Sequence, residues 1–196
     1  PTARPFGAGN GFLMDYMLAG LQFNYGVTDW LSLNAGGVFA PFLPYTVTTA
    51  TAGLKVTPLS SDKVSLAVGA QGVYSDVTKI TRIGFPYVVA TYGTWDSELS
   101  LLAGISYQST TAIDSVTHRP FAYYPVNSVI GVSGDMRVGE NLKVMTELYF
   151  IGDFGIVPTV FTVRYFENNM TIDAGVVFSL YKAGNRNMKT LGEYVF

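Results

Sequence analysis

Apolar residues alternate with small or polar residues along most of this chain, in segments of about ten residues. In residues 64–71, for example, one face consists of Val64, Leu66, Val68 and Ala70, and the other of Ser65, Ala67, Gly69 and Gln71. Comparable segments begin near Leu31, Leu99, Leu142 and Thr171. A period of two predicts β-strands with two different faces. Because a tilted strand needs about 9–11 residues to cross a bilayer, these segments predict strands that cross a membrane.

The composition supports strands over membrane helices. The chain is 48% hydrophobic and only 13% charged, and the charged share is about half of that in a typical soluble domain. Yet no run of about 18 consecutive apolar residues occurs, so a helical membrane span is excluded. The 21 glycines, 13 tyrosines and 13 phenylalanines are typical of strands that end in aromatic girdles.

The connections between the segments alternate in length. Short polar turns are predicted at residues 27–29, 58–62, 94–97, 139–141 and 167–169. Longer links are predicted between them, at residues 40–45, 76–84, 110–125, 152–156 and 182–187. Outer-membrane barrels have tight periplasmic turns and longer outer loops. We therefore expect residues 1–196 to form a single all-β domain, an antiparallel, up-and-down transmembrane β-barrel in the bacterial outer membrane.

The number of strands in this barrel needs a separate argument. Eleven strands are predicted, beginning near Gly11, Leu31, Thr46, Lys63, Phe85, Glu98, Val126, Leu142, Val157, Met170 and Met188. Single-chain bacterial barrels normally contain an even number of strands. Twelve strands are therefore expected, with ten as the alternative. The additional strand should precede Gly11, within this chain or truncated from it, with residues 1–6 as its tail and residues 7–10 as a loop.

Several short motifs resemble those of an uncharacterised, porin-like family of outer-membrane β-barrels from the Bacteroidetes group. The matching residues are Pro1-Thr2-Ala3-Arg4-Pro5 with Gly9-Asn10-Gly11, Tyr25-Gly26-Val27-Thr28-Asp29 with Leu31-Ser32-Leu33 and Gly36-Gly37, Ala90-Thr91-Tyr92-Gly93, and Gly131-Val132-Ser133-Gly134 with Arg137. The resemblance implies the fold and the outer-membrane location. It implies no activity.

Charged residues on the predicted inner face form the first candidate site. A charge that faces lipid costs about 2–4 kcal/mol at the bilayer centre, so these residues are expected to point into the lumen. The proposed set is an acid–base–acid ladder of Glu147, Arg164 and Asp173, flanked by Asp135 and Arg137. Pairing through the turn at 167–169 should place Arg164 beside Asp173 or Thr171, and Glu147 is expected to be a diagonal neighbour of Arg164.

Two interpretations of this ladder stay open. It could be an electrostatic constriction that selects ions or solutes. Alternatively, the charges could neutralise one another in a lumen filled with side chains, as is common in small barrels. Large inward-facing residues favour a crowded interior: Val73, Leu102, Val129, Met145, Tyr149 and Val177.

The longest predicted loop contains the second candidate site. Phe121, Tyr123 and Tyr124 could form a binding surface or a plug at the barrel mouth, or part of the outer aromatic girdle. The same loop holds the single histidine, His118, near Asp114 and Ser115. A catalytic triad is defined by geometry, and these residues have no recognised spacing. We therefore expect no enzyme and no catalytic residues, and a hydrolase is only a third hypothesis.

Composition also excludes several classes of ligand. The chain contains no cysteine and one histidine. It can therefore form no disulfide and no thiolate metal site. We expect no metal and no other cofactor. The net charge of −2 argues against a nucleic-acid partner, because phosphates require a basic surface. The expected partners are outer-membrane lipids and, as a second expectation, another protein of the envelope.

The leading functional hypothesis is a porin-like passive channel for ions or small solutes through a narrow polar lumen. The alternative hypothesis is a closed barrel that serves as a structural or docking subunit of an outer-membrane complex. Alternating polar positions on the inner face favour the first, and large inward-facing residues favour the second.

Overall fold

The computed structural model describes residues 2–16, 20–40, 47–75, 81–113, 120–123, 126–152, 156–167, 170–183 and 187–195. These residues form an all-β structure. The strands are β1 (Gly11–Tyr16), β2 (Gly20–Gly26), β3 (Leu31–Ala40), β4 (Val47–Ser60), β5 (Val64–Ser75), β6 (Thr81–Thr94), β7 (Ser97–Ile113), β8 (Pro120–Tyr123), β9 (Val126–Gly139), β10 (Leu142–Ile151), β11 (Ile156–Glu167), β12 (Met170–Ala183) and β13 (Asn187–Val195). Within the described ranges, no helix has the length and apolar character needed to span a membrane.

All the strands belong to one antiparallel sheet. Its order follows the chain from β1 to β7 and then from β9 to β13, while β8 pairs with the end of β7. Apart from β8, each strand therefore pairs with the strands next to it along this path, which confirms the predicted antiparallel, up-and-down order. In the part of the chain that the structure describes, no pairing joins β1 to β13, so the sheet is not closed there.

The short turns fall where the sequence predicts them. Strands β4 and β5 are separated by residues 61–63, β6 and β7 by residues 95–96, and β9 and β10 by residues 140–141. In the first of these turns, Ser61 accepts a bond from Val64 N through its Oγ (3.1 Å) and donates one to Val64 O (2.9 Å). We call the end of the sheet that carries these turns the tight-turn end.

The expected additional strand is not where the sequence placed it. Residues 2–10 contain no strand, and the interval from Gly11 to Gly26 holds the hairpin partners β1 and β2 instead of one strand. The link between them, residues 17–19, is Met-Leu-Ala. This link has none of the Asn, Asp or Pro residues that mark turns, so the sequence predicts one strand there.

The predicted loop at residues 110–125 is also partly strand. Strand β7 continues to Ile113, and β8 pairs with it from Thr110↔Tyr123 to Ile113↔Pro120. The β7–β8 hairpin therefore extends beyond the region in which β7 pairs with β9. The last matched residues of that region are Tyr107 and Val126. Residues 114–119 lie outside the described part of the chain.

One face of the sheet is buried and mostly polar, and the other is exposed and mostly apolar. In a water-soluble protein the buried face is the apolar one. Among the residues whose side chains the structure describes, eleven polar or charged residues are buried: Arg4, Asn24, Ser32, Lys55, Thr57, Ser65, Thr91, Ser100, Asn127, Ser133 and Lys143. In the same part of the chain, five apolar residues are buried: Ala3, Ala67, Val89, Leu102 and Val129. The alternate positions are exposed and apolar, as in β7, where Leu99, Leu101 and Ile105 are exposed at 58, 56 and 43%. We call the buried side the covered face and the other the exposed face.

Residues 2–6, named here the N-terminal segment, pack on the covered face. The segment bonds to Ser32 on β3, to Lys55 and Thr57 on β4 and to Thr91 on β6. Ala3 is completely buried and Arg4 is only 4% exposed. A segment lying on a flat sheet would leave one side open, so this burial indicates that the sheet curves around the segment.

Candidate functional site

The predicted charge ladder lies on neighbouring strands, and its best-formed part joins β11 to β12. Arg164 and Asp173 are direct partners in the strand register. Arg164 Nε donates to Asp173 Oδ1 and Nη2 donates to Oδ2, both at 2.7 Å. Both side chains are about one-third exposed. This two-bond geometry matches the planar guanidinium to the carboxylate. Of the two partners that the hairpin argument left open, Asp173 and Thr171, the register selects Asp173.

Asp135, on β9, forms an ion pair with a residue outside the predicted ladder. Lys143 Nζ on β10 lies 2.9 Å from Asp135 Oδ1, with side-chain exposures of 10 and 16%. Lys143 also donates to the carbonyl of Trp95 at 2.8 Å, and Glu98 N donates to Asp135 Oδ1 at 3.2 Å. These bonds join β9, β10 and the β6–β7 turn at the tight-turn end.

Arg137 lies nearer the tight turns than the other predicted ladder residues. Its Nε donates to Asp96 Oδ1 at 2.7 Å and its Nη1 to Glu140 O at 2.6 Å. The guanidinium also lies over the ring of Phe166, 5.1 Å from the centroid. Because Arg137 and Asp96 are exposed at 37 and 69%, this pair is accessible to solvent at the rim of the sheet.

Glu147 occupies a different place from the one predicted. The register sets Val160 opposite Glu147 and Lys143 opposite Arg164, so Glu147 and Arg164 are four residues apart along this strand pair. The predicted diagonal relation requires an offset of two and is therefore wrong. Glu147 Oε2 instead accepts a bond from the Tyr149 hydroxyl at 2.9 Å.

The candidate outer-loop surface is only partly described. The backbone of Phe121 and Tyr123 belongs to β8, where they pair with Ala112 and Thr110. Tyr124 lies outside the described residues, as do Asp114, Ser115 and His118. The surface and the hydrolase hypothesis both remain predictions from the sequence.

The structure adds a cluster that the sequence did not reveal, in which the N-terminal segment is anchored by buried charges. Lys55 Nζ donates to the carbonyls of Thr2 (3.1 Å) and Arg4 (2.6 Å). Arg4 Nε donates to Glu98 Oε2 at 2.6 Å, and Nη2 donates to Gly93 O at 2.5 Å. Arg4 and Glu98 are exposed at only 4 and 11%. Nothing in the sequence indicated the partners of Lys55 or Arg4.

Hydroxyl groups complete the attachment of the N-terminal segment. Thr57 Oγ1 donates to Ala3 O at 3.0 Å, and Ala3 N donates to Thr91 Oγ1 at 2.7 Å. Thr91 in turn bonds to Ser100 Oγ at 2.7 Å. These contacts satisfy backbone groups of the segment that would otherwise need water.

An apolar cluster and a small cavity lie beside the segment on the covered face. Ala3, Ala67, Val89, Leu102 and Val129 form the cluster, with Phe85, Tyr87, Tyr149 and Ile151 packed against it. A cavity of about 200 Å³ is lined by Thr2, Phe6, Ser32, Asn34, Lys55, Tyr87, Val89 and Leu102. Of the buried polar atoms in the described residues, Asn24 Nδ2 and Asn34 Oδ1 lack a hydrogen-bond partner. Such atoms are ordinarily satisfied by water.

Within the described residues, no cluster of His, Cys, Asp or Glu is arranged to hold a metal ion. The arrangement that is present can attract, repel or orient charged solutes, and it can hold a peptide segment. No model of a protein family, no curated protein and no solved structure matches this chain.

Proposed function

We propose that this protein is an integral outer-membrane β-barrel of the porin-like type, with the covered face of the sheet as the inner wall of its lumen. The observation that carries the proposal is the reversed polarity of the two faces: Lys55, Lys143 and Arg4 are buried, whereas Leu99 and Leu101 are more than half exposed. Apolar side chains in water cost about 25 cal/mol per Å² of surface. A lipid environment removes this cost along the whole exposed face.

The extent of the exposed apolar surface argues against an ordinary protein interface. Exposed large apolar residues occur on strands from β1 to β12, among them Leu13, Leu66, Ile130 and Ile172. Water-soluble monomers rarely carry contiguous apolar patches larger than a few hundred Å². An apolar belt that extends over described strands from β1 to β12 is the pattern of a lipid-facing barrel wall.

Closure into a barrel would also remove the two unpaired edges of the described sheet, at β1 and β13. An unpaired edge strand in lipid leaves backbone donors and acceptors without partners, at a cost of several kcal/mol each. Twelve of the strands follow one another in the sheet, with β8 off this path. An even number allows β1 and β13 to pair as antiparallel neighbours and close a twelve-stranded wall. The resemblance of the Tyr25–Asp29 and Gly131–Gly134 motifs to Bacteroidetes outer-membrane proteins supports the same location.

The proposed activity is passive passage of ions or small solutes through a narrow polar lumen. Its support is the line of charged pairs on the covered face, Asp135–Lys143 and Arg164–Asp173, since rings of charge select solutes by sign. The test is the conductance of the purified full chain in planar bilayers. We expect small, discrete conductance steps. The absence of steps under conditions where a known porin inserts would contradict channel activity.

A second function, a closed structural barrel that docks to another envelope protein, is favoured by the apolar cluster. Val89, Leu102 and Val129 are at most 7% exposed, and the N-terminal segment covers part of the same face. For this function we expect a stoichiometric partner to copurify after mild detergent extraction. Isolation of the chain alone from cross-linked membranes would contradict it.

A further inference from the structure

The bonding partners of the N-terminal segment are grouped at one end of the sheet. Ser32 lies just after the turn at 27–30, Thr57 lies three residues before the end of β4, and Glu98 follows the β6–β7 turn. The segment therefore crosses the covered face at the tight-turn end, from β3 to β7.

Backbone polar groups of residues 2–4 bond to side chains on the covered face. The carbonyls of Thr2 and Arg4 meet the Lys55 ammonium, the carbonyl of Ala3 meets Thr57, and the amide of Ala3 meets Thr91. Buried backbone groups without such partners are costly. An adventitious contact would leave some of them unmatched, so the inner wall is a specific binding site for this segment.

The side chain of Arg4 attaches the segment to the β6–β7 turn. It pairs with Glu98, donates to Gly93 O and lies 5.1 Å from the centroid of the Trp95 ring. These three partners lie in or beside that turn, whereas Phe6 N bonds to Ser32 on β3. All these contacts are noncovalent, and they attach the segment to the part of the sheet from β3 to β7.

We propose that the N-terminal segment is a removable plug that closes the lumen at the tight-turn end, with the Arg4–Glu98 pair as its latch. This proposal rests on the proposed barrel. Release of the segment would expose Thr91 and Ser100, which are now 2 and 1% exposed, and would open a passage beside the existing cavity.

The first test measures access to the inner wall by thiol labelling. The chain has no cysteine of its own, so Ser100→Cys provides a single reporter beneath the segment. We expect slow labelling by a charged, membrane-impermeant thiol reagent, and labelling at least about tenfold faster when Arg4→Gln is added, which corresponds to about 1.4 kcal/mol. Arg4 belongs to the plug and not to a strand, so the substitution leaves every strand pair in place.

The matched control is Arg82→Gln, which removes the same charge from an exposed position on β6. It should leave the labelling rate of Ser100→Cys unchanged. Equal labelling rates with and without Arg4→Gln would overturn the proposal, whether or not the protein conducts.

The second test locks the plug. Thr2 Oγ1 and Thr91 Oγ1 are 3.5 Å apart, so the pair Thr2→Cys and Thr91→Cys can be oxidised to a disulfide. In planar bilayers we expect the oxidised pair to be silent, reduction to restore the wild-type current, and Arg4→Gln to raise the open probability several-fold. The two single-cysteine variants should not respond to oxidation.

The outcomes separate this proposal from the channel itself. Wild-type current that neither the lock nor Arg4→Gln alters would overturn the plug and keep the channel. Absence of current in every variant, with labelling accelerated by Arg4→Gln, would overturn the channel and keep the plug.

Discussion

Arg164 and Asp173 face each other across β11 and β12 and share two hydrogen bonds of 2.7 Å. They lie nine positions apart in the chain, and the hairpin brings them together. Because both are about one-third exposed, the pair contributes little to stability, on the order of 1 kcal/mol or less. In the channel proposed above, the effect of the pair on ion selectivity is the more informative property.

Substitution of Arg164 should change ion selectivity. Arg164→Gln leaves the Asp173 carboxylate without its guanidinium partner, so the channel should become more selective for cations. Asp173→Asn should shift selectivity the other way. Reversal potentials under a salt gradient measure both changes. Identical reversal potentials for the wild type and both variants would place the pair outside the conducting path.

Lys143 should be far more important for stability than Arg164. Lys143→Met leaves Asp135 with its charge and only 16% exposure, and removal of one partner from a buried pair costs about 3–5 kcal/mol. We expect a loss of about 3 kcal/mol in urea unfolding. Adding Asp135→Asn should recover part of this loss, because no unpaired carboxylate remains. A loss as small as that of Arg164→Gln would show that water reaches the pair.

A charge on the exposed face distinguishes lipid from water. Leu101, on β7, is 56% exposed, and an arginine facing the bilayer midplane costs about 2–4 kcal/mol. Leu101→Arg should therefore destabilise the protein in lipid vesicles by about this amount. The control, Asp62→Arg in the exposed β4–β5 turn, should be close to neutral. In a water-soluble protein Leu101→Arg would be neutral as well, so a neutral result contradicts the membrane assignment.

Gly104 is required for close packing between β6 and β7. A Cβ atom at this position would lie 2.6 Å from Phe85 Cε2 and 2.7 Å from Pro86 O. Gly104→Ala should destabilise the sheet by about 1–3 kcal/mol. Gly84→Ala, whose Cβ meets nothing within 4 Å, should instead stabilise it by about 0.5 kcal/mol, because alanine loses less backbone entropy. Thermal unfolding in detergent measures both; equal effects would contradict the packing argument.

The strands and their order could be predicted from the sequence because the period of two is a local property. The alternation at residues 64–71 is present in the structure, and the turn predicted at 58–62 lies at 61–63. The β1–β2 hairpin was missed for an equally local reason, since the link at 17–19 contains no strong turn residue. Hairpin geometry left Arg164 beside Asp173 or Thr171, and only the register of β11 with β12 decides for Asp173.

The N-terminal segment could not be predicted in the same way. Its contacts join residues 26 to 94 positions apart, from Phe6 with Ser32 to Arg4 with Glu98. Threonine, lysine and glutamate are common on the inner face of any such strand, and no spacing relates them to the chain start. Likewise, the sequence predicted the strand that contains Lys143. The ion pair of Lys143 with Asp135 depends on the register between β9 and β10, which the sequence did not provide.

The position of the N-terminal segment also constrains the order of assembly. Residues 2–6 are held by β3, β4, β6 and β7, and Arg4 lies 94 positions from its partner Glu98. Contacts of such high sequence separation form late, because a long loop must be closed before they contribute. The segment therefore cannot guide the early strands, and it must enter while the sheet is still open or through an end that has not yet been covered. We infer that this segment, although it precedes the described strands in the sequence, is among the last parts of the described chain to pack.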